Sequence, residues 1–183
     1  MKGGKNMSDI MEKLGFKEEP TDKLYDMQFN PFKKIDKEWF LVTAGNDNGW
    51  NTMTASWGFA GIIWGKPAFI TVIRPQRYTK EFLDKAETFS ICFFKESERK
   101  ALAFCGANSG RDCDKAEKTG LKPVFTDDTT AFEQADMVLV CEKAYVQEFN
   151  EGCFVDKALA QANYAAGDYH TEYIGIIKKV YVK

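Results

Sequence analysis

Five stretches of this chain are rich in Val, Ile, Phe, Tyr and Thr and stop at turn residues. They are EWFLVTAG (38–45), PAFITVI (67–73), TFSICFF (88–94), MVLVCEKAYVQEF (137–149) and EYIGIIKKVYV (172–182). Each has the length and composition of a β-strand. The turn GNDNG (45–49) sets the first stretch against WNTMTASW (50–57) and predicts a hairpin. Helical patterning is sparser. TKEFLDKAE (79–87) has Thr79 as its N-cap, without a capping box because Phe82 stands three positions on. ESERKALAFCG (96–106) ends at a glycine suited to a C-cap, and RDCDKAEKTG (111–120) stops at Gly120. VDKALAQANYAAG (155–167) is compatible with a helix. The order β-β-β-α-β-α-α-β-β lacks the alternation of a doubly wound parallel sheet. Neither G-x-G-x-x-G nor G-x-x-x-x-G-K-[ST] occurs. The pattern predicts a mainly β protein, an antiparallel barrel with peripheral helices.

The 183 residues suffice for one domain. We assign it to residues 23–183, behind an extension over 1–22 that is expected to be flexible. With 15 Phe, 7 Tyr and 4 Trp, the aromatic load suits a β core and equally a pocket that stacks a flat ring. A net charge of −2 argues against a nucleic-acid binder, so Arg74 and Arg77 mark a local site and not a basic surface. No apolar run approaches a membrane span, and the start of the chain has no signal-like apolar segment, so the expected setting is the cytoplasm. Five cysteines without C-x-x-C, and a single histidine, predict reduced thiols and no metal site. Cys92 and Cys141 lie in apolar runs and are expected in the core.

Three segments combine polar specificity with loop position. In NTMTASWGFAGIIWGKP (51–67), strand alternation puts Thr52, Thr54 and Ser56 on one face and Met53, Ala55 and Trp57 on the other. Asn51 and these short hydroxyls, beside glycines and aromatic walls, suit a flat heteroaromatic ring, or equally an ordinary strand with a polar outer face. In TVIRPQRYTKEF (71–82), Arg74 and Arg77 adjoin Tyr78 and Thr79 at a helix start, a natural place for a phosphate. The competing reading is a pair of surface salt bridges, to Glu81 or Asp84. In NSGRDCDK (108–115), Ser109, Gly110 and Lys115 surround a second helix start, where capping alone is the plainer reading. His170, in GDYHTEYIG, is the one side chain that titrates near neutrality, and a lone histidine at a strand start is more often structural than catalytic.

Taken together, NTMTASWG, W-x-KP, IRPQRYT, SGRDCDK and HTEYIG resemble the flavin reductase-like proteins with an FMN-binding split barrel, closest to the flavoredoxin branch. The resemblance runs from about residue 30 to the C-terminus. It implies a six-stranded antiparallel split barrel of Greek-key type, a homodimer, and one FMN per subunit near the dimer interface. It implies that Asn51, Thr52, Met53, Thr54, Ala55, Ser56 and Trp57 hold the isoalloxazine. Arg74, Arg77, Tyr78 and Thr79 would fix the phosphate, helped by Ser109, Gly110 and Lys115. Several reductases of the family carry a G-D-H segment linked to nicotinamide binding. Here Tyr169 is inserted, GDYH, which counts against direct use of NAD(P)H more than against FMN. Two functions follow: an NAD(P)H-dependent flavin reductase with His170 near the chemistry, or an electron-transfer protein acting through FMN with a redox protein partner. A module that binds flavin without turnover is the third.

Overall fold

A computed structural model of the chain describes residues 7–126 and 129–183. Helix α1 (Met7–Lys13) and the short strand β1 (Lys17–Glu19) lead through irregular turns to the β2 (Phe40–Asn46) and β3 (Gly49–Ala55) hairpin. This hairpin closes with Asn46 opposite Gly49, as GNDNG predicts. Strands β4 (Gly58–Ile63) and β5 (Lys66–Ile73) make a second hairpin, followed by α2 (Thr79–Lys85) and β6 (Thr88–Phe93). Then come α3 (Arg99–Ala107), α4 (Lys115–Thr119), the small β7 (Pro123–Phe125) and β8 (Thr130–Phe132) pair, β9 (Met137–Glu148), α5 (Lys157–Asn163) and β10 (Thr171–Val182).

The main sheet is antiparallel with strand order β3-β2-β6-β9-β10-β5-β4, and β1 adds to the far half of β10. It does not close: β3 and β4 are the two ends of the ladder, as a split barrel requires. With β4 and β1 it has eight strands, two more than the resemblance implies.

Strand alternation builds two cores at once. Phe40 and Val42 of β2, Ile91 and Phe93 of β6, and Leu139 and Cys141 of β9 face inward with Phe69, Phe89 and Tyr173. Leu41, Cys92, Val138 and Val140 from the same strands face outward, under α1, α3 and the β7–β8 pair. These strands are covered on both faces, which explains why they read as unbroken apolar runs. Cys92 and Cys141 lie in these cores as expected, and burial pushes the Cys92 thiol up to about 12.

Several local expectations need correction. Residues 1–6 lie outside the described residues, but 7–19, placed in a flexible extension, are built into the fold. Met7, Met11 and Phe16 are buried against the outer face of the sheet. Strand β4 was hidden in the segment read as a ligand loop, because its Gly, Ala and exposed Phe59 break strict alternation. Thr79 is the first helical residue and Tyr78 stands in the cap position without a side-chain bond. Gly106 is inside α3, which runs to Ala107 with Asn108 in the C-cap position. Residues 111–114 form a turn, with Asp114 capping α4 through the Glu117 amide at 3.1 Å. Gly120 ends α4 at φ 74°, as read.

Gly175, where the β9–β10 register shifts, tests the barrel interior. A Cβ there would lie 2.5 Å from the Phe89 ring and 2.6 Å from Cys141 Cβ. Gly175→Ala should therefore destabilise the fold by about 1–3 kcal/mol through overpacking. Urea unfolding checks this, and an unchanged midpoint would show that the interior has room to spare.

Candidate functional site

The chain leaves β3 and enters β4 at Ser56 and Trp57, where the two ends of the sheet diverge. A cavity of about 220 Å³ opens there, lined by Met53–Trp57, Val72, Arg74, Arg77 and His170. A second, of about 440 Å³, lies at the start of β3 among Trp50, Asn51 and residues 110–115. Asn51 and Trp57 are about 20 Å apart along an extended strand, so β3 runs as a rail between the two. As an end strand it also leaves alternate backbone N–H and C=O groups unpaired by the ladder.

The hydroxyl row divides. Thr52 is buried and its Oγ1 lies 2.8 Å from Thr43 Oγ1 and donates to Val42 O. Thr54 donates to Leu102 O of α3 at 2.5 Å. Both hydroxyls are thus spent on protein partners, that of Thr52 on β2 and that of Thr54 on α3, although Thr54 still lines the cavity. Ser56, past the strand end, lines the cavity with no protein partner among the described residues. Met53 and Ala55 are buried from the barrel side, and Trp57 stands at the rim, 46% exposed.

The two arginines also part company. Arg74 pairs with Asp168, donates to Asn163 O at 3.0 Å and lies over the Tyr164 ring. Arg77 has no carboxylate partner among the described residues; its Nη1 donates to Gly106 O at 2.9 Å, and burial lowers its pKa. Neither arginine takes Glu81 or Asp84. Glu81 pairs with Arg111, which also stacks on Tyr78, and Asp84 pairs with Lys80. The surface salt-bridge reading thus fails for Arg77 and holds for Arg74 with a different partner. Helix α2, which carries Tyr78 and Thr79, is pinned by Lys143 donating to Leu83 O and Asp84 O, and by Tyr173 donating to Asp84.

Lys115 is the unexpected member. The residue is 5% exposed, and its ammonium donates to Thr52 O at 2.8 Å and Cys105 O at 2.9 Å and has no carboxylate among the described residues. Burial lowers its pKa to about 8, with Arg77 adding to the effect. Arg77 and Lys115 therefore sit on successive carbonyls, Gly106 and Cys105, at the end of α3. Helix carbonyls there are poor in partners and attract cations. Both cations nonetheless keep donors in hand: an ammonium has three and a guanidinium five.

Gly110 fits this corner closely, since a Cβ would lie 2.0 Å from Asn51 Oδ1. Asn51 is buried and its Nδ2 donates to Thr79 Oγ1 at 2.8 Å, so Thr79 is tied to β3. Ser109 Oγ accepts from the Arg111 amide and closes the turn. His170 is 8% exposed, its Nδ1 2.8 Å from the Tyr164 hydroxyl and its ring 5.1 Å from that of Trp57. Burial lowers its pKa to about 4, with the Arg74 charge assisting and Asp168 opposing. The inserted Tyr169 stacks on Tyr164 at 4.8 Å, and His170 still lines the cavity with Trp57. The structure thus brings together Met53–Trp57, Arg74, Arg77 and His170, and separately Asn51, Gly110 and Lys115. Sequence reasoning missed Asp168 and Tyr164, although both stand within the run that leads to His170.

Residues 32–182 match the flavin reductase like domain. The chain belongs to the flavin reductase-like family. Solved structures agree in fold. Flavoredoxin from Methanosarcina acetivorans superposes with a TM-score of 0.63 at 18% identity, over 80% of this chain and 68% of its own. An FMN-binding protein from Thermus thermophilus gives 0.61 at 23%, over 78% and 68%. The NADH:FAD oxidoreductase SgcE6 of Streptomyces globisporus gives 0.60 at 16%, over 80% and 75%. At these identities the likeness shows the split-barrel fold alone. No curated protein matches the chain. Family membership makes this a flavin-binding redox domain, and among its described residues no helix is long and apolar enough to cross a membrane.

Proposed function

We propose that this flavin reductase-like protein binds FMN along β3 and passes electrons through it as an NAD(P)H-dependent oxidoreductase of the cytoplasm. The observation that carries the reading is the pair of cations, Arg77 and Lys115, held beside β3 with no carboxylate partner among the described residues. Leaving buried charge uncompensated is costly, and a phosphate supplies the missing anion. Arg77 lines one cavity and Lys115 the other. They nonetheless rest on the successive carbonyls Gly106 O and Cys105 O, an arrangement that suits a single phosphate between them, as in FMN. Asn51 and Gly110 shape the same corner. Toward the other end, residues 53–57 offer strand-edge backbone groups, the free Ser56 hydroxyl and the Trp57 ring to a flat heterocycle. Bound there, FMN supplies the electron transfer itself, and the protein's share is orientation and electrostatics. His170 beside Trp57 favours a small-molecule reductant at the ring over a protein donor alone. Steady-state NADH and NADPH oxidation separates this from flavoredoxin-type electron transfer, which requires a redox partner.

A second copy of the chain completes the picture. An apolar trough of about 600 Å³ shares Ser56, Trp57 and Val72 with the site cavity and runs on to Phe32, Ile35 and Phe59. Phe32 is 83% exposed, Phe59 67% and Trp64 59%. Apolar surface of this extent suits burial by a two-fold mate. Light scattering should give twice the 20.8 kDa of one chain; a monomer at micromolar concentration counts against a composite site.

The cation pair yields the sharper test. Arg77→Ala removes a charge-assisted bond worth roughly 1.5–3 kcal/mol, so FMN affinity should fall about 10- to 100-fold. Riboflavin, which lacks the phosphate, should be held as before. Arg74→Ala should change FMN affinity far less, because Asp168 already answers that charge. If Arg77→Ala leaves the ratio of FMN to riboflavin affinity unchanged, the phosphate is held elsewhere.

A further inference from the structure

His170 has its Nδ1 edge engaged by Tyr164 and its Nε2 without a protein partner among the described residues, although the residue is more than nine-tenths buried. It lines the same cavity as Ser56, whose hydroxyl is also free of protein partners there. A neutral imidazole can carry its proton on either nitrogen, and the bond made by one nitrogen decides the other. Between a phenol and an imidazole, the phenol is the stronger acid and the imidazole nitrogen the better acceptor. The Arg74 guanidinium 5.3 Å from the centre of the Tyr164 ring polarises the phenol further toward donation. Tyr164 is itself fixed, stacked on Tyr169 and packed edge-on against His170.

We propose that Tyr164 is a positioning residue: its hydroxyl donates to His170 Nδ1 and so sets the ring as a neutral Nε2–H donor in the cavity. Together with the Ser56 hydroxyl this makes a receptor for the carbonyl oxygen of a flat conjugated ligand beside Trp57. It rests on the flavin reading for its place in turnover, but not for the tautomer itself. An anion receptor would instead want a charged imidazolium. Burial and Arg74 oppose that charge, and Asp168 only partly supports it. Tyr164 and Tyr169 are both held toward the protonated phenol by burial, and Arg77 in the same cavity adds no negative charge.

The chain has one histidine, so nitrogen NMR of imidazole-labelled protein reads this ring alone. In flavin-free wild type the proton should sit on Nε2, and the ring should stay uncharged from pH 8 down to about 5. Tyr164→Phe should abolish that preference and give a mixture of tautomers. Benzamide, a flat carbonyl probe, should shift the Nε2 signal in wild type and bind roughly fivefold more weakly to Tyr164→Phe, the equivalent of one neutral hydrogen bond. A wild-type proton on Nδ1 would overturn the proposal whether or not the variant folds. So would an unchanged tautomer in a folded Tyr164→Phe, or an Nε2 signal indifferent to benzamide. Because flavin is absent throughout, a failure to bind FMN leaves these outcomes readable on their own.

Discussion

Two cations resting on the last carbonyls of one short helix set the terms for the rest of the site. Arg77 reaches Gly106 O and Lys115 reaches Cys105 O, and among the described residues neither meets a carboxylate. Both cations bond the end of α3, and Lys115 ties it to β3 by also holding Thr52 O. The end strand of a split sheet is ordinarily free to fray, with one edge unpaired. Here it is stiffened from outside by Thr54 bonding to α3 and by Asn51 bonding to α2. The Lys115 bond to Thr52 O holds β3 as well and brings positive charge to it. That coupling of scaffold and charge is what suits the strand to the flavin-binding role proposed for it.

The doubly covered sheet supports this arrangement from beneath. Leu41 and Val42 bury on opposite faces of β2, so that strand is clamped between the barrel interior and the α1–α3 layer. The outer layer includes the N-terminal helix, whose Met7 and Met11 close one end of the second core. A bulky residue in a left-handed conformation, Trp39 at φ 65°, turns the chain into β2. Arg99 holds that turn, with its guanidinium 3.3 Å from the centre of the Trp39 ring and its Nη1 donating to Lys37 O and Glu38 O. The same helix α3 is thus anchored at its start by Arg99 and at its end by Arg77 and Lys115.

The long strands were legible because double-sided burial leaves unbroken runs of Val, Ile and Phe, and the first hairpin because Asn, Asp and Gly mark its turn. Strand β4 was not, since its two glycines, Ala60 and exposed Phe59 do not give a polar–apolar alternation. The buried N-terminal helix was missed because a short amphipathic piece among charges looks like any tail until the surface it covers is known. At the site, residue types were readable and partners were not. Arg74 and Arg77 are indistinguishable in sequence, yet Asp168, more than 90 residues away, claims one of them. Thr52, Thr54 and Ser56 likewise share an alternating pattern, yet β2 takes the first hydroxyl and α3 the second, which leaves Ser56 without a protein partner among the described residues. The resemblance names Lys115 for the phosphate, but its burial and its bonds to Thr52 O and Cys105 O follow from a helix packing that no local pattern announces.

The central claim is that this charge-bearing strand is a site for FMN, and the protein's own colour tests it most directly. The purified chain, reconstituted with flavin if needed, should show a flavin spectrum, and heat release followed by chromatography should yield FMN. Release of FAD alone, or no bound flavin after reconstitution, would contradict the account.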